Sequence, residues 1–563
     1  MTTNLQTAFR KLNTAYSSSV FHFILIAVGV ILRFRHYWEN RSLWVDEAYV
    51  AVQITARNWP ELLSFFPIFP RQPASPWGFM VIERIITDLL GPSEMALRLF
   101  PFLCSCLSLI LFYYFLKRFA RMETVGLALT LFAFNPRLIY YAAEVKTYSL
   151  DVLVSLVLLI IVWEVHRRDY QIQLIHWLGI YYALAMWFSF SSMFVIASIG
   201  SGMGIYFLIG RDFRKLTVLA RFVILWLINL AAFYKLCFQY MMVDEGLVGM
   251  WERGILLVPL FSEAGWIWFK NAITNIFRNP MAVHLPVVSG LIFLAGCIGV
   301  SRRNKYYFYW LVLPVILVFV ASLLRKYPFQ GRMLLFLMPA FCLILAEGVS
   351  LIARQLPKGS SVTALVLAGL LILHPVTSAW THMRQGYFYE DNRPVMQYVQ
   401  NNYQPGDLIF LNDQGVFIFF YYIHKLKFHE SLPKKPKRID GRDLYVYSPL
   451  GRLNECFYDD RRREIIPYRF IEMVGDDYGR YWGEFQKPYC ILKGKGSLNF
   501  LGGRRIWLLF LHEPSLPVRQ FILDLFGRNG RHLQSIELRR ASAYLFDLSK
   551  DHGEGNKEGV IAD

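Results

Sequence analysis

Apolar stretches of about 18 to 25 residues recur from Val20 to about His382, separated by short segments rich in charge. A helix rises about 1.5 Å per residue, so each stretch is long enough to cross roughly 30 Å of hydrocarbon. About eleven are readable, near 18–36, 95–116, 123–141, 148–165, 172–188, 191–210, 216–240, 282–301, 306–324, 332–353 and 361–382. The first is followed by Arg33 and Arg35 and has no small-residue cleavage site, so it reads as a retained signal-anchor helix.

Two segments break this rhythm. Residues 37–94 are too long for a simple connector, and Trp59, Phe65, Phe66, Phe69, Trp77 and Phe79 suit short helices lying in the membrane interface. Within them, 74–90 is nearly apolar enough to span, but Glu83, Arg84 and Asp88 make it an amphipathic surface helix. From Gln385 onward, charge and turn residues take over. There the pattern predicts a helix over Arg393–Asn402, a turn at Pro405-Gly406-Asp407 and a strand over Leu408–Leu411. A buried strand over Arg505–Phe510, a helix over Pro517–Phe526 and a strand over Ala543–Phe546 follow. The expected fold is mainly α: a polytopic membrane domain over 1–384 and an extracytoplasmic α/β domain over 385–563.

Composition agrees. Hydrophobic residues make up 55% of the 563 and charged residues only 18%, below the quarter or so of soluble domains. The net charge of +18 raises the question of nucleic acid, and its placement answers no. Basic clusters fall at Lys117-Arg118, Arg167-Arg168, Arg214-Lys215, Arg302-Arg303 and Arg354 with Lys358, all in alternate loops. That is the positive-inside pattern of a chain whose N-terminus is cytoplasmic. An odd number of spans then puts the loops around Asp46, Glu144, Asp244 and Tyr327, and everything after Gln385, outside. Cys456 and Cys490 fall in the outer domain and could pair; no CxxC, P-loop or zinc spacing occurs.

The candidate chemistry lies on that outer side. Asp46-Glu47 follows the first span, and Tyr140-Tyr141-Ala-Ala-Glu144-Val-Lys146-Thr-Tyr148 interrupts two apolar runs. Tyr327-Pro-Phe-Gln-Gly331-Arg332 precedes a late span, and Arg71-Gln72-Pro73 lies in the long first outer loop. Ionisable groups near membrane depth are costly and persist where they are used. Acids and cations on one face suit transfer from a lipid-linked, phosphorylated donor, an acid taking a proton while cations hold the departing phosphate. Plainer readings stand beside this: a solvated acid pair, a Glu144–Lys146 ion pair, and an Arg332 that snorkels to the headgroups.

Leu-Trp-Val-Asp46-Glu47-Ala, Gly91-Pro-Ser-Glu-Met-Ala-Leu-Arg98-Leu, Tyr-Tyr-Ala-Ala-Glu144-Val-Lys146-Thr-Tyr and Tyr-Pro-Phe-Gln-Gly-Arg332 follow one another in that order. The chain thereby resembles the polyprenyl-phosphate-sugar-dependent glycosyltransferases of the GT-C fold. Within these it is most similar to the bacterial protein-mannosyltransferase-like branch that includes the lipid A aminoarabinose transferase. The resemblance covers about 20–385 and is loose beyond. It implies inverting transfer to an acceptor hydroxyl of a lipid, an envelope glycan or a protein, at the outer face of the cell (inner) membrane. It also implies Asp46 as general base, Glu47 beside it to position the acceptor, and Glu144 to orient acceptor or donor sugar. Arg332 would contact the donor phosphate, with Lys146, Tyr327, Gln72 and Arg71 as further substrate contacts. The outer loops hold no His-rich cluster to dictate a metal. The resembled enzymes differ in using a divalent ion, which leaves such a cofactor open.

Two other classes were weighed. A transporter of this size usually repeats broken helices in two related halves, and none is readable here. A binding-only homologue would keep the lipid-linked sugar site and lack turnover.

The topology is open to a direct check. Reporter fusions after Lys117 and after Tyr403 should report opposite compartments; matching compartments would put the candidate acids on the wrong face.

Overall fold

The computed structural model describes residues 18–63, 75–238, 254–255, 259, 261–355, 360–387, 389–404, 407–411, 415–425, 437–439, 442–444, 458–459, 464–465, 505–513 and 516–549. Contacts divide the chain into two compact units. One takes residues 1–40, 59–91 and 95–387; the other takes 41–58, 92–94 and 388–563.

The first unit is the membrane bundle. Among the described residues, eight helices are long and apolar enough to cross a bilayer, and two bent pairs each supply one more span. The pairs are Met122–Ala133 with Pro136–Ala143, bent by 49°, and Lys305–Leu311 with Leu313–Leu323, bent by 45°. Ile172–Phe188 is a shorter apolar helix of 17 residues. Together these occupy the eleven apolar stretches of the sequence, and the protein is a multi-pass membrane protein. Gly331–Gln355 forms the centre, with 83% of its apolar window buried against 17% to 50% in the other seven long spans. Its closest neighbour is the helix Pro286–Arg303, which it meets glycine to glycine. A Cβ on Gly296 would lie 1.9 Å from the Ile344 carbonyl oxygen, and one on Gly348 would lie 2.0 Å from that of Ile292. Only small residues let two backbones approach so closely.

The 49° bend has a definite construction. Helix Met122–Ala133 stops short of Pro136, whose ring is accepted at the first position of the next helix. The Asn135 side chain caps that helix, accepting from the backbone N–H groups of Arg137 at 2.9 Å and Leu138 at 3.0 Å. Its amide donates to the Pro280 and Met281 carbonyls at 3.0 and 3.2 Å. On the other side of the break, Arg33 donates to the carbonyls of Ala133 at 3.0 Å and Phe132 at 3.3 Å. It also reaches the Gly29 carbonyl and the Ser105 hydroxyl, each at 2.9 Å. Arg33 therefore does not lie beyond the first span. It sits inside the helix Ser19–Trp38, wholly buried.

The C-terminal end of that first helix is tied to the end of the last. His36 Nδ1 lies 3.0 Å from Glu39 Oε2, and Nε2 lies 3.0 Å from the Tyr140 carbonyl oxygen. The Glu39 carboxylate also accepts from the Tyr387 backbone N–H at 3.1 Å and pairs with Arg35 at 3.0 Å. Burial alone would raise the Glu39 pKa, but His36, the Tyr387 N–H and Arg35 hold it below the usual carboxylate value.

The second unit centres on a four-stranded sheet with β1 (Leu408–Leu411), β2 (Arg505–Leu511), β3 (Arg531–Leu538) and β4 (Ala541–Asp547), in the order β1-β2-β4-β3. β1 runs parallel to β2, pairing Leu408 with Ile506, and the other pairings are antiparallel. Ile506, Leu508 and Phe510 point to one core with Ile522 and Phe526 of the helix Leu516–Asn529. The helices Asn392–Asn402 and Gly415–Lys425 also pack on the sheet, so β2 is buried almost throughout. That explains its uninterrupted apolar sequence. The possible Cys456–Cys490 pairing lies outside the described residues.

The helix Trp77–Leu90 of the first unit holds an anomaly. Glu83 is fully buried, and among the described residues neither of its carboxyl oxygens has a hydrogen-bond partner. Burial pushes its pKa well above the ordinary 4.5. An acid raised in the folded state costs stability as pH climbs from its unfolded to its folded pKa, because only the unfolded chain has released the proton. Thermal melts in detergent should therefore fall as pH rises above about 4.5. Glu83→Gln should flatten that slope and raise the melting temperature at neutral pH.

Candidate active site

Each unit carries its own part of the candidate chemistry. In the second, Trp44 leads into the helix Val45–Thr55, which opens with the two acids in its first turn, where the helix dipole favours negative charge. The acids differ in surroundings. Glu47 is fully buried and faces the Arg41 guanidinium at 3.9 Å, whereas Asp46 is half-buried. A carboxylate sealed beside an arginine is a poor proton acceptor, and the half-buried one is better placed to meet a substrate.

In the first unit the segment after the bend runs Pro136–Tyr140, then a short 3-10 turn Tyr141–Ala143, then Glu144 in extended geometry. The Ser149 hydroxyl donates to the Tyr141 carbonyl at 2.7 Å and fastens this turn to the start of the helix Tyr148–Arg167. The Tyr141 and Tyr148 rings meet edge to face at 4.8 Å. Gly331 adopts φ +45°, which a side chain would strain, and a Cβ there would approach Asn279 to 3.2 Å. That turn sets Arg332 at the head of the 3-10 helix Gly331–Leu337. The Arg332 guanidinium lies 5.7 Å over the Tyr148 ring, and Arg332, Glu144 and Arg137 are all near enough to the Tyr141 hydroxyl to act on it electrostatically. Glu144 is fully buried. So Glu144 and Arg332, far apart in sequence, share one polar neighbourhood built on two tyrosines. A planar guanidinium with five donors suits both a tyrosine and a phosphate oxygen.

The sequence matches no family model and no curated protein. The fold, however, has solved counterparts. ArnT from Cupriavidus metallidurans in the apo state matches with a TM-score of 0.50 and 11% identity, covering 93% of this chain and 97% of that one. ArnT bound to undecaprenyl phosphate matches at 0.51 and 12%, covering 94% and 98%. The Archaeoglobus fulgidus oligosaccharyltransferase in complex with Zn and sulfate matches at 0.50 and 12%, covering 94% of this chain and 73% of that one. The chain has the GT-C fold.

Within this GT-C chain the remaining sequence candidates fall as follows. Lys146 is half-buried in the turn after Glu144, its backbone N–H donating to the Glu144 carbonyl at 2.7 Å. Tyr327 is buried, its hydroxyl donating to the Met333 carbonyl at 3.0 Å and its ring packing on Phe194 at 5.0 Å. It braces the turn that carries Arg332. Arg71 and Gln72 lie outside the described residues. Among the described residues, no cluster of three or more His, Cys, Asp or Glu side chains is arranged to hold a metal ion.

Two polar residues near this site went unassigned in the sequence. Tyr141 stood within the quoted motif without a role. Asp151 accepts from the Ser189 hydroxyl at 2.5 Å and the Thr147 hydroxyl at 3.1 Å, in the first turn of the helix Tyr148–Arg167. A lone acid inside an apolar run was its available signal.

Arg332→Ala should weaken donor binding and slow transfer together, measured with a polyprenyl-phosphate sugar in proteoliposomes. Lysine should rescue only partly, being a point charge that cannot reproduce the planar contact with Tyr141 and Tyr148. Normal affinity and turnover in Arg332→Ala would reduce this arginine to an interfacial anchor.

Proposed function

We propose that this protein is an inverting glycosyltransferase that moves a sugar from a polyprenyl-phosphate donor to an acceptor hydroxyl at the outer face of the cell membrane. The N-terminus is then cytoplasmic and the C-terminal domain extracytoplasmic. The observation that carries the reading is the asymmetry of the acid pair: Glu47 sealed against Arg41, and Asp46 half-buried beside it at the head of a short helix. The GT-C fold supports the general class, and the bound undecaprenyl phosphate of the ArnT structure is consistent with a polyprenyl-linked donor.

In this mechanism the acceptor oxygen attacks the anomeric carbon from the face opposite the phosphate. The carbon–oxygen bond to the phosphate breaks with its electron pair, and polyprenyl phosphate departs while the configuration inverts. Asp46 takes the acceptor proton; an aligned carboxylate contributes about 10²–10⁴-fold to such a step. Arg332 stabilises charge gathering on the leaving phosphate, with Lys146 adding to the positive field. Glu144 orients a sugar hydroxyl from within the tyrosine-lined cluster. The sugar is a hexose or pentose, and the acceptor is a lipid, an envelope glycan or a protein hydroxyl.

Asp46→Asn keeps size and hydrogen-bonding capacity but removes the proton acceptor. Transfer of labelled sugar in proteoliposomes should be abolished, with folding and donor binding retained. Glu47→Gln should be milder and Glu144→Gln intermediate. Wild-type turnover in Asp46→Asn would end its assignment as base, while donor binding without turnover in the unaltered protein would mark a binding-only homologue.

A further inference from the structure

We propose that Tyr422, with the polar contacts around it, is a positioning residue for the acid-bearing helix, so that the helices Asn392–Asn402 and Gly415–Lys425 belong to the catalytic apparatus. The inference rests on the transferase reading given above. The helix Val45–Thr55 begins at Trp44, which provides no side-chain cap. Its entry is instead defined from far along the chain. The Tyr422 hydroxyl accepts from the Leu43 backbone N–H at 2.9 Å and donates to the Glu94 carboxylate at 3.1 Å. The Leu43 carbonyl accepts from the Asn392 side-chain amide at 2.9 Å, so both backbone groups of Leu43 are held by the C-terminal segment. One residue earlier, the Ser42 hydroxyl accepts from the Arg393 backbone N–H at 3.1 Å. The Arg393 guanidinium closes the set on Glu94 at 3.2 Å.

Four features make this a locating device and not ordinary packing. Tyr422, Leu43, Glu94 and Asn392 are all completely buried, so the bonds are protected from exchange with water. The contacts onto Ser42 and Leu43 span 349 to 379 residues of sequence, so no local signal can replace them. Those on Ser42 and Leu43 fall on consecutive residues immediately before Trp44, about one turn from Asp46. They also join both ends of the first outer segment, because Glu94 stands at its far end. A base that must meet an acceptor hydroxyl gains from this restraint, since a displacement of about 1 Å can cost on the order of a hundredfold in rate.

The test uses the full-length protein in lipid nanodiscs, with Tyr422→Phe as the main variant. Phenylalanine keeps the buried ring and deletes only the bridging hydroxyl. Hydrogen–deuterium exchange, measured without substrate, should rise over residues 43–50 and stay unchanged in the membrane helices. In the transfer assay kcat should fall roughly tenfold, the KM for the donor should hold, and the acidic limb of the kcat–pH profile should shift. Should Tyr422→Phe fail to fold, Ser42→Ala removes one acceptor from the same clamp and should show the same pattern with smaller amplitude. Wild-type exchange over 43–50 in a folded variant would overturn the proposal. So would increased exchange with unchanged kcat, which would make Tyr422 a structural residue only. Because exchange is read without turnover, an inactive wild-type protein would count against the transferase reading and still leave the clamp decided by its own measurement.

Discussion

The membrane unit depends on how a broken helix is kept satisfied where no water can help. A backbone carbonyl left bare in hydrocarbon costs several kcal/mol, so a bend inside a span survives only if other groups take up its hydrogen bonds. Arg33 does this for the carbonyls on one side of the 49° break, and Asn135 does it for the N–H groups on the other. The two residues turn a potential defect into a fixed corner. From that corner the chain emerges as Pro136–Tyr140 and delivers Tyr141 and Glu144 to Arg332. Among the described residues Arg33 hydrogen-bonds to carbonyls and a serine hydroxyl alone, which suits a cation whose task is to collect oxygen atoms.

A second principle runs through the other unit: acids are sorted by what surrounds them. Glu47 is neutralised by Arg41, Glu94 is shared by Tyr422 and Arg393, and Asp407 is held by Arg505 at 3.0 Å and the Trp507 indole at 3.1 Å. Glu390 is paired with His512. These carboxylates act as structural joints, each buried beside a cation or a donor. Asp46 differs from its neighbour Glu47 in being only half-buried.

The sequence disclosed those parts whose signal is local. Apolar length located the spans, and β1 and β2 were read within a residue because a buried strand keeps its apolar run. The Trp77–Leu90 helix was legible as amphipathic. What escaped notice depends on partners. The strand Arg531–Leu538 is polar and largely exposed because it pairs only with β4 at the sheet edge, so it lacks the expected alternation. The helix Gly415–Lys425 is rich in aromatic and branched residues that favour strands, and its packing on the helix Val45–Thr55 decides otherwise. Of the site, the residue types and their order were visible. That Glu144 and Arg332 both come near Tyr141 was not, and neither was the grouping of Asp46 with residues after 388. Both are facts about contacts across hundreds of residues.

Arg33 also bears on how the protein is made. During synthesis the first helix reaches the insertion machinery with a guanidinium in its C-terminal third, before its partners exist. Ser105 lies 72 residues downstream, and the Phe132 and Ala133 carbonyls lie 99 and 100. An arginine within an inserting helix is penalised, by up to about 2.5–3.5 kcal/mol at the helix centre. Until the third span arrives, the nascent helix can satisfy that charge only within itself, through the Gly29 carbonyl, or by reaching towards the headgroups. Completion of the first span is therefore a delayed event, coupled to the arrival of the bent one. A defect in that later segment would surface as faulty membrane integration of the earliest.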